Sequence, residues 1–155
     1  MQNSYTFTAI RGVQAGRDYY VAMCPATMVP KILDFEDGRN DDKIGIRKLN
    51  AVAIPKISEY LCDNPTEYVL SSITVAIGGE FAFEPFDSDV SGDHGLLIIP
   101  MTTPLLVNDG QHRCAGIREA LKKRPELSEE SVSLLFFVDE KFERSKQMFA
   151  DLNRR

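Results

Sequence analysis

The chain has 155 residues, 43% of them hydrophobic and 26% charged, with a formal net charge of −5. That length and apolar share suit one globular domain with a real core. The negative charge argues against broad non-specific attraction to nucleic acid but leaves room for a local basic face, and no apolar run approaches the ~20 residues of a membrane span.

The N-terminus, Met1-Gln2-Asn3-Ser4-Tyr5, has neither a basic n-region nor a long apolar stretch. It is no signal peptide, and a cytoplasmic location is expected. Cys24, Cys62 and Cys114 are three cysteines at wide spacing with no C-x-x-C pair. They read as free thiols in a reducing compartment, and no metal site is expected from them.

Residues 4–10 alternate, with Tyr5, Phe7 and Ala9 on one side, which predicts a strand. Arg11-Gly12-Val13-Gln14-Ala15-Gly16-Arg17 reads as a long glycine-bearing loop, and residues 19–24 as the strand that returns from it. Arg11 and Arg17 on that loop are candidates to meet phosphate. Cys24 stands at the strand end, before Pro25, where a partly exposed and reactive thiol is plausible if nearby cations lower its pKa.

Residues 35–48 mix Asp37, Asp41 and Asp42 with Arg39, Lys43, Arg47 and Lys48, the pattern of a solvated loop or broken helix rather than a metal site. Residues 50–62 predict a helix with Val52, Ile57, Tyr60 and Leu61 as its buried stripe and Pro55 in its first turn. Residues 68–77 predict a strand, and Gly78-Gly79 is expected to turn it into a second strand over 80–86 as a hairpin. Residues 87–93 are acidic and turn-rich, without the spacing or closing glutamate of a calcium loop. Strands are expected over 96–99 and 105–108.

Asp109-Gly110-Gln111-His112-Arg113 follows the last of these strands and opens a helix that carries Ile117, Ala120 and Leu121. A helix start presents unsatisfied N–H groups at the positive end of its dipole, a natural anion site. Gly110 lets the backbone approach a ligand, Asp109 is placed to cap, and Arg113 carries a planar donor fork. Asp-Gly is equally an ordinary turn. The helix should end at Lys122-Lys123-Arg124-Pro125, where cations suit its dipole. Residues 131–138 predict a central strand, apolar on both faces, and residues 140–152 a last helix. The sum is one mixed α/β (α+β) domain spanning 1–155, a mixed sheet with flanking helices.

The pentapeptide at 109–113 resembles the signature of DGQHR-domain proteins. The wider chain is similar to the DndB family of bacterial DNA phosphorothioation systems. The matching segments are Ala9-Ile10-Arg11-Gly12-Val13-Gln14-Ala15-Gly16-Arg17 with Tyr19-Tyr20, Asn50 with Ile54-Pro55, Phe83-Glu84-Pro85-Phe86, Asn108 to Arg113, and Gln147-Met148-Phe149-Ala150-Asp151-Leu152-Asn153-Arg154. Cys114, Gly116, Ala53 and Arg155 depart from the family pattern. The corner also resembles the ParB/sulfiredoxin-like fold, in which such a corner handles phosphates or nucleotides. Family members run longer, so the chain reads as an N-terminal fragment or a short member.

The resemblance implies a DNA-binding repressor of a DNA sulfur modification cluster, with Arg11, Arg17, Gly110, Gln111 and Arg113 at phosphate. Its partner would be operator or phosphorothioated DNA, with other modification proteins or a second copy of the chain as further partners. The alternative is a nucleotide hydrolase using ATP, with Asp109 or His112 positioning water and Arg113 on phosphate. A third reading makes the corner architectural, with Arg113 paired to an acid such as Glu84. In a sulfur-linked variant, Cys24 senses or accepts sulfur from modified DNA.

Overall fold

The computed structural model describes residues 3–35, 52–88 and 90–139. Strands β1 (Ser4–Gln14) and β2 (Arg17–Pro25) lead through a 3-10 turn to the short helix α1 (Val29–Ile32). Helix α2 (Ala53–Asp63) precedes β3 (Ile73–Ile77), β4 (Ala82–Pro85), β5 (His94–Pro100) and β6 (Leu105–Asp109). Helix α3 (Gln111–Lys123) and β7 (Ser131–Val138) complete the described elements. The strands form one mixed sheet in the order β4-β5-β1-β2-β7-β3-β6. Its pairs are antiparallel except β3 with β7, which is parallel. The mixed α/β class expected from the sequence is therefore the observed one. Among the described residues no helix is long and apolar enough to cross a membrane.

Alternation dictates which face is the core. β1 buries Phe7 and Ala9 while Thr6 and Thr8 stay exposed. β2 buries Tyr20, Ala22 and Cys24, and β7 buries Val132, Leu134 and Phe136. The loop expected over 11–17 is mostly strand. Ala15 (φ 53°) and Gly16 (φ 73°) make a two-residue turn with Gln14 opposite Arg17. Positive φ at both central residues matches the twist of the flanking strands, so a tight hairpin wins over a long loop.

The predicted β3–β4 hairpin does not form. The strand after Tyr68 starts only at Ile73, and it is filled on both edges by β7 and β6. β4 pairs instead with β5, at the far edge. Ile77 and Ala82 are five residues apart, a reach of at most ~17 Å. Five inter-strand steps in a flat sheet would need ~24 Å. The sheet must therefore curl, and it does: Tyr20 of β2 meets Phe83 of β4 with ring centroids 5.2 Å apart and Phe81 at 5.7 Å.

Helices α2 and α3 pack together over the core face. The core-facing stripe of α2 is Ile54, Ile57, Ser58 and Leu61, at helical spacing, with Ser58 and Leu61 buried and the two isoleucines half-buried, whereas Val52 and Tyr60, expected in that stripe, are exposed. Pro55 does lie in the first turn. Gly116 of α3 is where the two helices touch: a Cβ there would sit 2.3 Å from Ile57 Cγ2. Gly116→Ala should therefore cost about 1–2 kcal/mol net, strain offset by better helix propensity. Urea unfolding checks it.

α3 ends as expected, with Lys122 and Lys123 in its last turn and Pro125 just beyond. β7 is central, between β2 and β3. Residues 36–51 and 140–155, with Asp37, Asp41 and Asp42 and the expected last helix, lie outside the described residues, as does Asp89 in the acidic turn.

Candidate functional site

β6 delivers the chain to a corner at the end of the sheet. Gly110 takes φ 112°, ψ 18° and occupies the N-cap of α3 itself. Its carbonyl accepts the first helical bond, from the Cys114 N–H at 2.9 Å. Asp109 does not cap, contrary to expectation, and no side-chain cap is present. The glycine fold-back moves Asp109 outside the helix, where its carboxylate faces Arg113 instead, 3.5 Å from Nη2.

Arg113 is the centre of the corner. Its Nη2 also donates to the Ser72 carbonyl at 3.0 Å. Its Nε is buried with no hydrogen-bond partner among the described residues. The side chain is 25% exposed and lies against Gly110, where a Cβ would come within 3.0 Å of Nη2. A guanidinium has five donors, so it has capacity beyond these two contacts. Glu84, the acid expected to pair with it, is on β4 at the opposite sheet edge.

The other corner residues divide by role. Gln111 is buried, and its amide donates to the carbonyls of Val107 (3.2 Å) and Asn108 (3.5 Å). It fastens the helix start to β6 rather than facing solvent. His112 is half-buried on the first turn of α3. Ser72, overlooked in the sequence, holds Arg113 through its carbonyl and meets the Ser133 hydroxyl at 2.5 Å. Ser72 fell inside an apparent strand, and nothing local marked it.

Arg11 and Arg17 do not join this corner. Three strands separate β1 from β6, and two separate β2 from it. Arg11 donates to the Gly92 carbonyl (2.8 Å), pairs with Asp93 (3.6 Å) and covers the Phe83 ring. It anchors the turn before β5. Arg17 is exposed at the start of β2.

Cys24 is not the partly exposed thiol expected at a strand end. It is 0% exposed, and burial pushes its pKa up to about 11. A reactive cysteine needs the reverse, a thiolate stabilised near neutral pH. Parity explains the outcome: Cys24 follows Tyr20 and Ala22 inward, and Met23 faces out. All three cysteines are free.

No curated protein and no solved structure matches the chain. A family model does, over residues 7–155, and its description is DNA-sulfur modification-associated. That match takes in both the β1–β2 hairpin and the Gly110 corner. The chain therefore belongs to the DndB family and to the proteins of DNA sulfur modification systems.

Proposed function

We propose that the chain is a DNA-binding regulator that represses genes of DNA sulfur modification, and that the Gly110 corner engages a backbone phosphate. The observation that carries this is the Arg113 guanidinium, partly exposed and fixed over Gly110 at the positive pole of α3. A guanidinium held by Ser72 and Asp109 loses little freedom when its remaining donors meet a phosphate. Family membership supplies the DNA context. Arg11 and Arg17 lie too far along the sheet to share that phosphate, and Arg17 is left for a separate backbone contact.

The test is fluorescence anisotropy with DNA from upstream of the modification genes and with scrambled DNA, with and without ATP. Arg113→Ala should weaken binding about tenfold or more and lower the salt slope by about 1. Arg113→Lys should recover part of the affinity, since it keeps charge but not the fork. Unchanged affinity in a folded Arg113→Ala protein would remove the corner from DNA binding. Saturable ATP binding lost in that variant, without DNA binding, would replace the regulator with a nucleotide-hydrolysing enzyme.

A further inference from the structure

The sheet face turned away from the helices carries an open groove of about 760 Å³. Thr6, Thr8, Ile10, Val21, Met23 and Met101 are among its lining residues. Strand parity puts the β1 and β2 residues there, since their neighbours Phe7, Ala9, Tyr20 and Ala22 fill the core. Met23 is 61% exposed and Ile10 50%. No described lining residue is Asp, Glu, Lys or Arg. In a chain of net charge −5, this is a face where an anionic backbone meets no carboxylate.

The groove adjoins the corner through a short chain of contacts. Met23 is the cross-strand partner of Ser133. The Ser133 and Ser72 hydroxyls bond to each other, and the Ser72 carbonyl holds Arg113. β2 and β3 are two inter-strand steps apart, ~10 Å. One DNA strand offers a phosphate every ~3.4 Å of helix rise. A strand held at Arg113 therefore has further linkages within reach of Met23.

A phosphorothioate linkage keeps the single negative charge of a diester and carries sulfur in place of one non-bridging oxygen. Sulfur is larger, softer and a weaker hydrogen-bond acceptor than oxygen. On an apolar floor a phosphate oxygen loses its water without compensation, while sulfur loses much less. A thioether and aliphatic floor complements the sulfur, while the charge of the bound strand is met at Arg113, beyond Ser133 and Ser72.

We propose that the Met23 groove is the subsite for a sulfur-bearing linkage, by which the protein distinguishes phosphorothioate from phosphate DNA. This rests on the DNA-binding reading of the corner and names the form of DNA it prefers.

The experiment uses the full chain and one duplex sequence in three forms: unmodified, and singly phosphorothioated in each stereochemistry. Anisotropy should show one sulfur stereoisomer bound about fivefold tighter than the diester. Met23→Thr, on an exposed strand position, should erase that preference, read as the ratio of phosphorothioate to diester affinity. Equal affinity for all three duplexes overturns the sulfur subsite while leaving DNA binding intact. A preference that survives both Met23→Thr and Ile10→Thr overturns it as well. Binding to none of the duplexes overturns the DNA reading and this subsite together. If Met23→Thr changes no DNA affinity but dissociates a dimer in sedimentation, the groove is a contact between copies of the chain and the proposal fails.

Discussion

Gly110→Val is expected to destabilise the protein by about 3–5 kcal/mol, roughly a 10 °C fall in Tm. Three costs add. A β-branched residue at φ 112° is strained by about 1–3 kcal/mol. Its Cβ would lie 3.1 Å from Ile73 Cγ1 and 3.0 Å from Arg113 Nη2, so one of them must move. Ile73 is fully buried, so the movable partner is Arg113, which then loses its 3.0 Å bond to Ser72. Valine is also a poor N-cap, worth about 1 kcal/mol. Thermal unfolding followed by circular dichroism measures the sum, and a Tm within about 2 °C of wild type would contradict it. Gly110→Asn should cost less, because asparagine tolerates positive φ. The same variants separate fold from function. If Arg113 acts on phosphate only when seated over Gly110, Gly110→Asn should retain most stability yet lose DNA affinity.

The corner was legible because its signals are local. An apolar run, an Asp-Gly pair and a helical period lie within about 20 residues, and each rule used there refers to neighbours in sequence. The role of Asp109 was not legible. Capping preference names the residue type, but the φ of Gly110 decides which position becomes the N-cap. The β3–β4 hairpin failed for the opposite reason. Gly78-Gly79 and the alternating phenylalanines are good local evidence, yet pairing is decided by the whole ladder. β3 found β7 and β6, and the curl carried β4 to the other edge.

Cys24 and Met23 show how parity outranks residue chemistry. Both carry sulfur at the end of β2, and residue chemistry alone favours Cys24 as the reactive one. A strand sends successive side chains to opposite faces. Once Tyr20 and Ala22 are in the core, Cys24 is committed to it and Met23 to the groove. The sulfur contact proposed for the groove therefore falls one residue earlier, on the outward-facing Met23.

Burial of Cys24 has a consequence on the alkaline side. Its pKa rises from 9.0 to about 11, with burial as the cause. A group whose folded pKa is raised holds its proton more tightly when folded. Its stabilising contribution is complete below pH 9 and is lost as pH climbs through about 11. A two-unit shift is worth about 2–3 kcal/mol. Cys114, also fully buried and raised chiefly by burial, acts with the same sign, and so does Tyr68, raised to about 12 by burial and its bond to Glu130. Urea unfolding at pH 8 and pH 10.5 should therefore show a loss of about 2 kcal/mol from Cys24 alone. Cys24→Ala should be less stable at pH 8, from the cavity it leaves, but should lose about 2 kcal/mol less than wild type between the two pH values. Equal losses in the two proteins would mean that Cys24 ionises as freely in the fold as out of it. Thiol titration at pH 8 gives the independent reading: half-buried Cys62 should react in the native state, and Cys24 and Cys114 only after unfolding.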